Sequence, residues 1–146
     1  MPRKKKEEPE QELQAKYIQY QLMKQQLAAY IEKKNAVDEQ LKELNATIDA
    51  LHKLESVEKG KEIWSSLGSG SFVMSDIKDT EKVMIALGAG VVAKETRERA
   101  IEILQGRLEE LTKIDNELTS DMTKLANVLN ALESELETLA HRAKNE

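Results

Sequence analysis

The chain has 146 residues with a net charge of −5, 34% charged residues, 3% aromatics and no cysteine. Length predicts one domain, and the charge-rich, aromatic-poor composition suits long helices better than a compact enzyme core. The acidic balance argues against a general nucleic-acid binder, which must neutralise phosphates. The missing cysteines exclude a disulfide scaffold, a thiol nucleophile and a cysteine zinc site.

No run of about 18 apolar residues is present to span a membrane. The basic N-terminus lacks the apolar stretch of a signal peptide. A soluble cytoplasmic protein is expected.

Residues 1–9, MPRKKKEEP, are charged, carry two prolines and have no apolar period. They are expected to form a disordered tail. The run Arg3 to Lys6 has the composition of a nucleic-acid or localisation arm, but Glu7 and Glu8 follow at once, which favours a solvated tail.

Residues 10–59 are predicted to form the first long helix. Heptad a positions fall at Leu13, Tyr20, Leu27, Lys34, Leu41 and Ile48, and d positions at Lys16, Met23, Tyr30, Val37, Leu44 and Leu51. Only Lys16 and Lys34 break this apolar series, and a 3-4 spacing kept so long means a coiled-coil seam. Gly60 is the expected stop, because glycine accepts the left-handed conformation that ends helices.

Residues 60–95 change period. Apolar residues alternate, strands are expected at 62–67, 71–77, 82–87 and 91–95, and Lys78 to Glu81 connects the two halves. Leu67-Gly68-Ser69-Gly70 and Leu87-Gly88-Ala89-Gly90 repeat one turn, so Gly68, Gly70, Gly88 and Gly90 mark two hairpins. A phosphate-binding loop would need a Gly-Lys-Ser/Thr ending that opens a helix, and a strand follows each turn instead.

Both faces of this segment are apolar: Ile63, Leu67, Val73 and Ile77 on one parity, Trp64, Phe72 and Met74 on the other. A single copy cannot bury both faces, and its strand edges need covering. Assembly through the strands is therefore expected, with Phe72, Val73, Ile85 and Val92 as the buried interface positions.

Residues 96–146 are predicted to form the second helix, with Thr96 as N-cap. Its a positions are Ile101, Leu108, Asp115, Met122, Leu129, Leu136 and Ala143; its d positions are Leu104, Leu111, Leu118, Leu125, Leu132 and Leu139. Each helix is about 70 Å long at ~1.5 Å per residue.

The predicted fold class is α+β, mostly α: a long antiparallel coiled-coil hairpin with two β-hairpins at the helix connection, a single domain overall. Partner numbers should sum to about 152, or to 145 after a slip of one heptad. Either register brings Lys34 and Asp115, the two charged breaks in the central seam, into the same or adjoining layers. They are read as a register pair; independent snorkelling of the two side chains is the alternative.

Both chain ends then meet at one end of the coiled coil, where Tyr17, Ile18 and Leu22 occupy positions that normally face water. Grouped apolar residues of that kind suggest a binding surface; packing against a neighbouring helix is the bland alternative. No catalytic residue, metal site or cofactor is expected. His52 and His141 lie outside the seam, and the carboxylates read as a coiled-coil exterior.

A heptad helix, then LGSGSFVMSDIKDTEKVMIALGAGVVAKE (67–95), then a second heptad helix resembles prefoldin, and the two hairpins resemble its α-type subunit. The likeness runs from about Leu13 to Ala143, and the hairpin motif is its specific part. It implies a chaperone without ATP, in which two α-type and four β-type subunits join their strands into a β-barrel body with six arms.

In that family the arm tips hold unfolded clients and pass them to a group II chaperonin. Carried onto this chain, client contacts are expected at Leu13, Tyr17, Ile18, Tyr20, Leu22, Leu132, Leu136 and Leu139. High charge without cysteine suits an archaeal source. The basic tail departs from the family pattern. Two other readings stay open: a structural or adaptor coiled coil, and an α-like paralogue that self-associates into homo-oligomers or filaments.

Overall fold

The computed structural model describes residues 2–145, and side chains from Glu10 to Asn145. The element order is α1 (Pro2–Leu54), β1 (Glu62–Gly68), β2 (Ser71–Asp76), β3 (Lys82–Gly88), β4 (Val91–Thr96) and α2 (Arg97–Asn145). Two long helices thus flank two hairpins, β1 with β2 and β3 with β4, each an antiparallel two-stranded sheet.

Two bounds differ from expectation. α1 begins at Pro2 rather than near residue 10, so the segment read as a disordered tail is drawn as helix. Once nucleated, a helix gains one backbone bond per added residue, and Lys and Glu are good helix formers. The side chains of that segment lie outside the described residues. α1 also ends at Leu54, before Gly60. Gly60 instead turns the chain into β1 at φ +88°, and its N–H donates to Ile77 O at 2.6 Å.

The chain divides into two compact units, residues 1–39 with 113–146 and residues 40–112. In the first, the helices run antiparallel: Lys16 meets Glu135 and Lys34 meets Asp115. Those numbers sum to 151 and 149; the first lies next to the 152 register, and the second falls between 152 and 145. The buried core of this unit is Val37, Leu118, Leu125, Leu129, Leu132 and Leu139, all a or d positions. From Leu13 to Leu139 no a or d residue is exposed; Ala143 is. The heptad pattern therefore decides which helix stripe is buried.

The second unit has its own core: Ile48, Ile85, Ala100 and Leu104, flanked by Leu44, Leu51, Val83, Ile101, Ile103 and Leu108. Here the β3–β4 hairpin lies on the helix pair. Ala100 is wholly buried although it is neither an a nor a d residue; the hairpin covers that side of α2, and a small side chain allows its approach.

The two turns share one geometry. Gly68 pairs with Ser71 and Gly88 with Val91, leaving Ser69-Gly70 and Ala89-Gly90 as two-residue loops. Both loop residues have positive φ, at 50° and 74° in the first and 51° and 77° in the second. This is the sense of a type I′ turn, whose twist matches the flanking strands. Leu67 and Leu87 are the extra residues of a bulge just before each turn.

Candidate functional site: hairpin faces and the helix-end groove

Ile85 is 8% exposed and sits inside the helix–hairpin core. The expectation that it forms an oligomer interface is corrected: Val83, Ile85 and Ala93 point one way from the β3–β4 sheet, and the chain's own helices cover that face. Val92 is on the opposite face and is exposed.

At the corresponding place in the β1–β2 hairpin stands Ser65, whose hydroxyl is hydrogen-bonded to that of Ser75 across the strands. A serine offers no large apolar group to bury, and the hairpin contributes nothing to the buried core. Trp64 is 66% exposed, Phe72 58%, and Met74, Val73 and Ile63 are exposed as well. Trp64 and Phe72 line an apolar hollow of about 490 Å³. Phe72, Val73 and Val92 thus remain exposed within the chain.

Arg97 locks the connection between the hairpins, a role that sequence reasoning missed. Its guanidinium donates to Thr80 O at 2.9 Å, its backbone N–H donates to Glu81 O at 2.7 Å, and it faces Glu98 and Glu55 at 3.1 and 3.9 Å. The linker, the end of α1 and the start of α2 converge on this one side chain. Asp79 caps the same linker, accepting from the N–H groups of Glu81 at 2.8 Å and Lys82 at 3.2 Å, and these bonds hold its carboxyl below the usual range. Thr96 caps α2 as expected, accepting from Arg99 N–H at 3.1 Å. A charged residue directly after a strand, at the first helical position, was the only signal for Arg97.

In the other unit, Tyr17, Ile18 and Leu22 are exposed, and Leu13, Tyr20 and Leu136 are half-buried. Leu132 and Leu139 are buried in the seam. The structure brings Leu13, Tyr17, Tyr20 and Leu136 together around a groove of about 480 Å³, completed by Gln14, Glu133, Glu137 and Ala140. Such a volume falls within the ~300–1,000 Å³ of ordinary ligand pockets and suits a few apolar side chains. Ile18 and Leu22 lie outside its lining. Lys24 sits over the Tyr20 ring, 5.7 Å from its centroid.

Lys34 donates to Asp115 Oδ1 at 3.0 Å and to both carboxylate oxygens of Asp38, at 3.3 and 3.1 Å. The bond from Lys34 holds the Asp115 carboxyl below its ordinary value, and the bonds to Asp115 and Asp38 raise the lysine. The two seam charges are therefore partners in space. Asp38, one helical turn from Lys34, completes the cluster.

His52 and His141 are both exposed. Among the described residues no group of three or more His, Cys, Asp or Glu side chains has the arrangement to hold a metal, and no helix is long and apolar enough to cross a membrane.

The family model described as prefoldin subunit matches residues 23–142. The chain is 40% identical over 90 residues to prefoldin subunit alpha of Methanosarcina mazei, covering 62% of this chain and 63% of that protein. It is 30% identical over 131 residues to the subunit alpha of Methanosarcina acetivorans, covering 88% and 92%. It therefore spans somewhat less than two thirds of the M. mazei relative but most of the M. acetivorans one.

Among solved structures, filamentous PFD from Methanocaldococcus jannaschii superposes with a TM-score of 0.69 at 18% identity, covering 80% of this chain and 96% of that one. The prefoldin beta subunit from Thermococcus strain KS-1 gives 0.57 at 21% identity, covering 87% and 90%. At such identities these two likenesses carry the fold alone. With the family model over most of the chain and two hairpins between the helices, the chain belongs to the prefoldin family and is similar to its archaeal α-type subunits.

Proposed function

We propose that this chain is the α-type subunit of an ATP-independent holdase in the cytoplasm. It binds non-native proteins at the free helix ends, keeps them from aggregating and passes them to a group II chaperonin. Its hairpins join other prefoldin subunits, four β-type to two α-type, into a β-barrel body, or join copies of itself. It is not an enzyme and uses no cofactor.

The observation that carries this reading is the pairing of two exposed apolar surfaces in one chain. Free hairpin faces serve assembly, and Tyr17, Ile18 and Leu22 beside the Leu13–Tyr20–Leu136 groove serve client capture. Seam residues Leu132 and Leu139 join the capture surface when the last turns fray, as helix ends do.

One such surface supplies only a few kcal/mol at ~25 cal/mol per Å² before association costs. Useful holding then requires several ends at once, which an oligomer provides. An adaptor coiled coil would need no exposed sheet faces. The self-associating alternative draws support from filamentous PFD, which shares this fold.

Deleting residues 1–22 together with residues 132–146 tests the reading. The shortened protein should keep its number of subunits and lose suppression of aggregation of an unfolded test protein. Full suppression without these residues would move client binding to the hairpin body or the remaining helix surface.

A further inference from the structure

We infer that the groove between the free helix ends selects non-native segments whose apolar residues are flanked by lysine or arginine, and that Glu133 and Glu137 make the choice. This rests on the reading of that end as the client surface and names the class of segment it takes.

Most of the groove is apolar. Leu13, Tyr17 and Tyr20 of α1 and Leu136 and Ala140 of α2 line it. Such a lining alone would accept any apolar segment. The α2 side adds two exposed carboxylates, Glu133 and Glu137. They stand four residues apart on the helix, where like charges repel and an incoming cation relieves the repulsion. Among the described residues neither forms an ion pair.

No lysine or arginine lines the groove to answer them. Lys16 is paired with Glu135 and Glu12. Lys24 lies over the Tyr20 ring and outside the lining. Tyrosine faces attract cations, as that contact shows. Tyr17, 55% exposed, offers a second ring.

A segment with an apolar residue beside a lysine or arginine therefore fills the groove and brings its charge to the carboxylates and the Tyr17 face. A flanking aspartate or glutamate meets two like charges instead. The net charge of −5 acts in the same direction at longer range. Both carboxylates are solvated, so the preference is a matter of several-fold in affinity rather than all-or-none.

Three labelled peptides test this on the full chain. They share one core of leucine and phenylalanine and differ only in flanks of lysine, glutamine or glutamate. Fluorescence anisotropy at low salt should rank them in that order, with the lysine peptide bound at least about fivefold more tightly than the glutamate peptide. The gap should narrow as salt rises. Glu133→Gln with Glu137→Gln should close most of it, weakening the lysine peptide and strengthening the glutamate peptide, with circular dichroism to confirm that the helices persist.

Equal affinities for the three peptides, or a gap that survives in the double glutamine variant, would overturn the selectivity. Tyr17→Ser separates this from the reading beneath it. If the three peptides bind alike and all weaken in that variant, the groove holds clients and only the charge choice is wrong. If Tyr17→Ser weakens none of them, the groove is not a client surface.

Discussion

Lys34 Nζ stands 3.0 Å from Asp115 Oδ1, joining α1 to α2 at the one layer where both helices interrupt their apolar seams with charge. Removing Lys34 leaves Asp115 half-buried without its counter-charge, and removing Asp115 leaves Lys34 with Asp38 alone. Replacing both with leucine extends the apolar seam. Lys34→Leu and Asp115→Leu should each destabilise the helix pair more than the double variant, whose stability should equal or exceed that of the wild type. Urea melts of the four proteins give the coupling, and simple additivity would show that the charges act independently.

The same pair sets a pH dependence. Asp115 is held below its ordinary value, so its contribution is present above the usual carboxylate range and is lost as pH falls through the lowered folded value. Lys34 is raised, so its contribution is present below the usual lysine value and is lost as pH climbs through the raised one. Thermal melts of the double leucine variant should show a smaller loss of stability at both extremes than those of the wild type.

Ile85 and Val73 should behave differently despite their similar chemistry. Ile85→Ala opens a cavity under the β3–β4 hairpin and should cost about 2–5 kcal/mol of stability. Val73→Asp lies on an exposed face and should leave folding near normal while lowering the native mass. A Val73→Asp protein that unfolds as readily as the Ile85 variant would contradict the assignment of anchored and free hairpins.

Arg97→Ala should cost about 1–3 kcal/mol by leaving the carbonyl of buried Thr80 without its donor. Arg97→Lys should recover only part of this, because an ammonium cannot span the linker carbonyl and the flanking carboxylates as a planar fork does. Faster amide exchange around residues 77–82 in either variant would report the loosened linker.

Changing Tyr17, Ile18 and Leu22 together to serine should leave helicity intact, since all three are exposed and outside the seam. Suppression of client aggregation should fall in proportion to the apolar area removed. An undiminished holdase would assign client contact to the Leu13–Leu136 groove alone.

The sequence by itself determined the two helices, the two hairpins, the turn glycines and the Lys34–Asp115 layer. These are periodic or local properties. Heptad spacing names the buried stripe of a helix, alternation names a strand, and a two-residue turn with positive φ demands glycine at its second position. Only the tertiary structure decided which hairpin is anchored. Alternation shows that a strand face is apolar but not what covers it, so Ile85 and Val73 look alike until the helices are placed beneath one and not the other. The exchange of Ile85 for Ser65 between the two repeats was visible, but its meaning depends on that packing. Arg97 was illegible for the same reason. Its partners lie in two separate segments, Thr80 and Glu81 in the linker and Glu55 just after α1, and only folding brings their oxygens within reach of this one residue.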